Sequence, residues 1–200
     1  KNSKIFPVKW LYIVKGGYTM PVAQFKQKDK LGKGRGHPVM FGLREAEHFG
    51  PFPEGGGYPI RFLAKAFIIL GVTDPRKVLH VCSGSMKSGI CLDIREGVKP
   101  TIVGNALSLP FRDNAFPWIM VDPPYSQEYA ENLYGTGNDY PSPHTLINEC
   151  LRVLSPGGRL GFMHHIVPKF RKPGKLLNVY AITQGVGYNI RAWSVFTKST

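Results

Sequence analysis

Residues 119–125 read Ile-Met-Val-Asp-Pro-Pro-Tyr. An apolar run with β-branched residues is strand text, and two successive prolines end it, because neither has an amide hydrogen for a neighbouring strand and each fixes φ near −65°. The chain must therefore leave its sheet at Asp122 on a rigid ledge, with the carbonyls of Pro123 and Pro124 pointing outward and Tyr125 as an aromatic wall. The same pattern, an apolar run stopped by small or polar residues, recurs along the chain. Residues 77–82 stop in Ser83-Gly84-Ser85, residues 89–94 stop around Asp93, residues 101–105 end in Asn105, and residues 159–165 end in His164-His165.

Two stretches carry apolar residues at helical spacing, one before the first of these strands and one between the last two. Pro59 to Gly71 has proline in a plausible first turn and glycine at the end, and Pro143 to Leu154 places Leu146, Ile147, Cys150, Leu151 and Leu154 on one face, with Ser155-Pro156-Gly157-Gly158 expected to stop it. Residues 176–184 and 190–197 alternate around Gly185-Val186-Gly187-Tyr188 and read as a terminal antiparallel pair. The predicted fold is α/β: a three-layer, mostly parallel, seven-stranded Rossmann-like sheet closed by an antiparallel hairpin. One connection strains this reading. Between Gly84 and Ile90 there is no room for a crossover helix, so either the second strand is misplaced or the helix is cut to a turn. In an open parallel sheet, ligands bind beyond the carboxyl ends of the strands, where the polar stops gather.

A chain of 200 residues and 22.3 kDa builds one substantial core. We expect residues 1–54 to form a basic extension and 55–200 the folded domain that carries the site. No apolar stretch approaches the 18 residues of a membrane span, and no secretory pattern is visible, so a cytoplasmic protein without a membrane partner is expected. Three cysteines are too few for a disulfide framework, and no Cys-x-x-Cys lies near the histidine pair, so no metal is expected. The formal charge of +13 is unevenly spread: residues 1–50 carry +7, the middle hundred −2, and residues 151–200 carry +8 with no acidic residue at all. Two basic ends suit a phosphate backbone. Lys26, Lys28, Lys30, Lys33 and Arg35, spaced by glycine and polar residues, are the candidates for contact with it.

The strand ends suggest a division of labour. The small-residue turn Cys82-Ser83-Gly84-Ser85 lets a ligand approach backbone amides closely, and Asp93 is placed to accept ribose hydroxyls. The Gly-x-Gly-x-x-Gly of a dinucleotide site is absent, so a nucleoside cofactor without a pyrophosphate fits better, its adenine near Asn105, Ala106 and Leu107. On the ledge, the Asp122 carboxylate and the Pro123 carbonyl can accept both hydrogens of an exocyclic amine, which frees the nitrogen lone pair, while Tyr125 stacks on the ring. Tyr129 and Tyr134, in the segment that follows, either close over a base withdrawn from a duplex or pack a surface helix. His165 is a candidate for positioning the substrate.

These residues resemble the S-adenosylmethionine-dependent amino-methyltransferases that modify adenine N6 or cytosine N4 in DNA, with relatives acting on RNA. Asp122-Pro123-Pro124-Tyr125 matches their catalytic motif, residues 78–85 resemble their first cofactor motif, Asp93 the ribose-binding acid, and Asn105-Ala106 the pair that contacts the cofactor adenine. The likeness covers about residues 57–197 and makes 55–200 a methyltransferase domain with S-adenosylmethionine as cofactor. His80 stands where the family commonly has an acid, with water-mediated cofactor contact the implied role; Met86 stands where it often has glycine, and Asn105 where it often has aspartate. Only 36 residues separate Ser85 from Asp122, too few for a target-recognition domain. The resemblance thus implies methyl transfer to a base amine, adenine N6 in DNA before an RNA base, with specificity from the basic N-terminal region, the 126–142 segment or a partner protein. A nucleic-acid binder that keeps the fold without catalysis is the remaining alternative.

Overall fold

The computed structural model describes residue 58 and residues 60–135, 139–182 and 189–199. Lys26, Lys28, Lys30, Lys33 and Arg35, the proposed boundary at 54/55 and the turn at 185–188 lie outside the described residues. Among those described, seven strands form one sheet: β1 (Val78–Val81), β2 (Ile90–Asp93), β3 (Ile102–Val103), β4 (Phe116–Val121), β5 (Leu154–His164), β6 (Gly174–Ile182) and β7 (Arg191–Lys198). Their order is β3-β2-β1-β4-β5-β7-β6. Strands β1 to β5 pair in parallel, whereas β7 runs antiparallel to both β5 and β6. This is the Rossmann-like sheet of the methyltransferase fold, with the antiparallel closure expected from the sequence.

Helix α1 (Ile60–Leu70) covers one face and α3 (Pro143–Val153) the other, while α2 (Gln127–Tyr134) follows β4. Phe62, Ala66 and Leu70, four residues apart on α1, are buried with Val78, Met120, Met163 and Trp193. On the opposite face Leu146, Ile147 and Cys150 of α3 meet Leu79, Val81, Ile119, Val121 and Phe162. Because β1 and β4 are covered on both sides, each is apolar almost throughout, as central parallel strands must be. All three cysteines are free, and Cys91 and Cys150 are buried.

The short connection after β1 has a backbone explanation. Cys82, Gly84 and Gly89 all have positive φ, at 53°, 55° and 76°, so tight left-handed turns replace the crossover helix and the second strand stands where expected. A Cβ on Gly89 would lie 2.5 Å from the Val78 carbonyl oxygen, which leaves glycine as the residue that fits. One expectation is corrected. Ser155-Pro156-Gly157-Gly158 does not separate α3 from β5 but belongs to the strand, which begins at Leu154 and absorbs the extra residues as a register shift opposite Phe116 and Trp118. The bulge accommodates proline and glycine that a regular ladder would exclude.

Candidate active site

Four adjacent strand ends meet at the carboxyl edge of the sheet. Asp93 closes β2, the 82–85 turn follows β1, Asp122 follows β4, and His164 closes β5. The register fixes their neighbourhood, since Val81 pairs with Leu92 on one side and Val121 on the other, and Val121 pairs with Phe162. The Asp122 amide donates to the Val81 carbonyl at 3.4 Å, which brings the ledge beside the turn.

On the β2 side, Asp93 is buried and all its acceptor positions are filled. One oxygen accepts from the backbone amide of Gly84 at 2.8 Å and from Arg95 Nη2 at 3.1 Å; the other accepts from the Arg95 amide and Nε, both at 3.0 Å. A carboxylate offers about four such positions, so a ribose diol reaches Asp93 only by displacing the Arg95 side chain. The guanidinium of Arg95 in turn lies 4.3 Å from the centre of the Tyr134 ring on α2. Beyond β3, Asn105 Oδ1 caps the Leu107 amide at 2.8 Å and Ala106 is buried. A network of Arg152 with Glu149, Asp113 and the carbonyls of Leu109 and Phe111 holds the following loop against α3.

On the β4 side, Asp122 Oδ1 accepts one side-chain hydrogen bond, from the Tyr125 hydroxyl at 2.9 Å. Burial pushes its carboxyl up to about 7, against the opposing pull of the Tyr125 hydroxyl and the Arg191 charge. The Tyr125 ring is crowded: His165 lies against it at 4.4 Å, tilted by 34°, His164 meets it edge-on at 5.4 Å, and Arg191 sits 5.3 Å from its centre. His164 Nδ1 accepts the Ile166 amide at 3.2 Å, which puts its hydrogen on Nε2. Burial, then the charges of His165 and His144, lower it to about 4, so it is neutral at pH 7.

The segment after the ledge is the helix alternative rather than an open loop. Ser126 Oγ accepts the Tyr129 amide at 3.1 Å to cap α2, and Gly135, with φ of 64°, ends it. Tyr129 is exposed near Tyr125, their ring centres 6.4 Å apart, while Tyr134 is turned to Arg95. Ser83 is buried, Cys82 and Ser85 are half-buried, and burial together with Asp93 and Asp122 raises the Cys82 thiol far above its ordinary range. His80 faces α1, fully buried near the rings of Tyr58 and Phe67, and neither ring nitrogen has a partner among the described residues.

Two residues that the sequence reading passed over belong here. Tyr58 is buried on Phe62, and burial first, then the nearby charges of Asp122 and Cys82, raise its hydroxyl. Its signal was its place in the sequence just before Pro59, at the start of the predicted helix. Arg191 starts β7, whose antiparallel course returns the chain to the site beside His164, and only the strand pairing of Ala192 with His164 reveals that. Among the described residues no cluster of three or more His, Cys, Asp or Glu is placed to hold a metal, and no helix is long and apolar enough to cross a membrane.

No protein-family profile matches this chain, and no curated protein does. Solved structures do resemble it. TrmN from Thermus thermophilus shares 18% identity over 68% of this chain with a TM-score of 0.48, and the chain spans about half, 48%, of that protein. A SAM-dependent methyltransferase from Aquifex aeolicus shares 14% over 66% of this chain and 88% of its own, at a TM-score of 0.43. The 1,6-didemethyltoxoflavin-N1-methyltransferase of Burkholderia thailandensis shares 12% over 68% of this chain and 77% of its own, at 0.44. At these identities the likeness concerns the fold alone, and the fold assignment rests on the strand order itself. The turn at 82–85, Asp93 and Asn105 stand at or just beyond successive strand ends.

Proposed function

We propose that this chain is an enzyme that transfers a methyl group from S-adenosylmethionine to the exocyclic amine of a nucleic-acid base, with adenine N6 in DNA as the first choice. The observation that carries this is Asp122, a carboxylate at the end of β4 with a single side-chain hydrogen bond, next to the 82–85 turn. The donor set suits the cofactor: Gly84 brings backbone close, Asp93 suits a ribose once Arg95 yields, and the Asn105 amide has its NH2 to offer an adenine. When bound, S-adenosylmethionine supplies an electrophilic methyl group.

The protein's own residues do the rest. Asp122 and the Pro123 carbonyl accept the two amine hydrogens, drawing the nitrogen toward tetrahedral geometry and stabilising the positive charge that develops on it. The Tyr125 hydroxyl orients the carboxylate, and its ring presents a stacking surface on which exposed His165 is the side chain a base would displace. Neutral His164 braces that ring edge-on. No covalent enzyme intermediate is needed.

The ledge suits an amine in RNA as well, and the cationic surface suits either backbone, so an RNA base is the second reading. Incubation with radiolabelled methyl donor, followed by separation of DNA, RNA, protein and small-molecule fractions and mass spectrometry of the modified nucleoside, tests both. Label in DNA as N6-methyladenine is the expected result. Label in RNA alone moves the assignment to the second reading, and label in none, with no cofactor binding by calorimetry, sinks it.

A further inference from the structure

The chain between β5 and β6 has a property that the site does not use. It leaves β5 at His164 beside Tyr125, and β6 begins at Gly174, which pairs with Lys198 at the far end of β7. Residues 165–173 therefore run the height of the sheet, from the level of His164 to beyond that of Arg159, about 20 Å at strand rise. The segment is held against α3: the Lys169 amide donates to His144 Nδ1 at 2.9 Å and the Arg171 amide to Asn148 Oδ1 at 2.8 Å. His144 and Asn148 lie one turn apart on the helix, so the segment tracks its axis.

Its outward surface has two parts. At the rim of the site, Ile166 and Val167 are large apolar side chains left 45% and 41% exposed. Below them Lys169, Arg171 and Lys172 are exposed, and none forms an ion pair among the described residues. At the lower end, Arg171 and Lys172 line a cavity of about 230 Å³ with Arg152 and Lys198. Asp113 and Glu149 neutralise Arg152 there, whereas among the described residues no acid pairs with Lys169, Arg171 or Lys172.

We propose that residues 166–172 are the docking track for duplex DNA. Ile166 and Val167 fill the gap from which a base is withdrawn, and Lys169, Arg171 and Lys172 follow the sugar-phosphate backbone away from it. Charge complementarity selects a polyanion. The apolar pair selects a duplex, since a base already unstacked leaves no gap to fill, whereas side chains that wedge between base steps are apolar. The inference rests on the reading of the site as one that acts on a nucleic-acid base.

The test is binding of a fluorescein-labelled duplex, its single strand and a matched RNA across a salt series, without cofactor. Replacing the three cations by alanine should weaken duplex binding roughly 30-fold at low salt and reduce the slope of log K against log[salt] by about 2 to 3. The variant with Lys169→Arg, Arg171→Lys and Lys172→Arg should keep both. Ile166→Ser with Val167→Ser should weaken the duplex and spare the single strand. An unchanged salt slope in the alanine variant, with an unchanged melting temperature, overturns the track; equal loss on duplex and single strand in the serine variant, or preference for RNA, overturns duplex DNA as its occupant. Because binding is read without cofactor, a track that binds duplex in a protein that methylates nothing separates the failure of the proposed function from that of the track.

Discussion

Asp93 and Asp122 are the same residue type at the same edge of one sheet, on opposite sides of β1, yet they are opposites. Asp93 accepts four hydrogen bonds, two from the guanidinium of Arg95, and so is closed to a newcomer. Asp122 accepts one, from its own neighbour Tyr125, and burial lifts it to about 7. A carboxylate with every position filled organises the protein around it; one with positions left over has them to offer. Under the proposed function the first is a clamp to be opened and the second the acceptor of the two amine hydrogens.

The sharpest way to break this contrast is to remove each carboxylate. Asp122→Ala should lower single-turnover methyl transfer by about 10³-fold, the scale of a lost charge-stabilising group, while calorimetric cofactor affinity stays within about twofold; full activity in this variant would end the ledge mechanism. Asp93→Ala should do the reverse. It should weaken cofactor binding by about 100-fold, the loss of hydrogen bonds to a charged group, and lower the melting temperature because Gly84 and Arg95 lose their partner.

Arg95→Ala tests whether Asp93 is closed. Two freed acceptor positions should tighten cofactor binding about tenfold, as removing a competitor worth one charged hydrogen bond would; weaker binding would make Arg95 a holder of the cofactor rather than its rival. The smallest effects belong to pH. The Asp122 carboxylate must be ionised to accept the amine hydrogens, so kcat/KM should fall as pH drops below about 7. Arg191→Ala and Tyr125→Phe each remove a group that favours the ionised form, so each should move that limb to higher pH. An acid raised in the folded state contributes stability at low pH that is lost as pH rises from the ordinary carboxylate range through about 7. Asp122→Asn should therefore raise the melting temperature by a few degrees more at pH 8 than at pH 5, while abolishing transfer; no difference between the two pH values would mean the carboxylate is not desolvated.

Much of this site was legible along the chain. The prolines at 123 and 124 end β4 whatever surrounds them, and the strand stops at Asp93, Asn105 and His164 follow from local pattern. Other parts were not. That α2 is a helix over 127–134 depends on Ser126 and Gly135 acting as caps, which polar text alone does not separate from a loop. His80 sits on the polar side of the predicted motif but its side chain faces the aromatic layer of α1, because strand residues alternate faces and the sheet is covered on both.

By itself, the sequence determined the strand ends and the kind of chemistry they can perform, since backbone rules for proline and glycine and the identity of a carboxylate act within a few residues. The tertiary structure decided which of those groups are available. Arg95 on Asp93, Arg191 and Tyr58 beside Asp122, and the basic segment laid along α3 result from contacts between distant parts of the chain, and whether a buried charge is paired or open is set by those contacts and not by its neighbours in sequence.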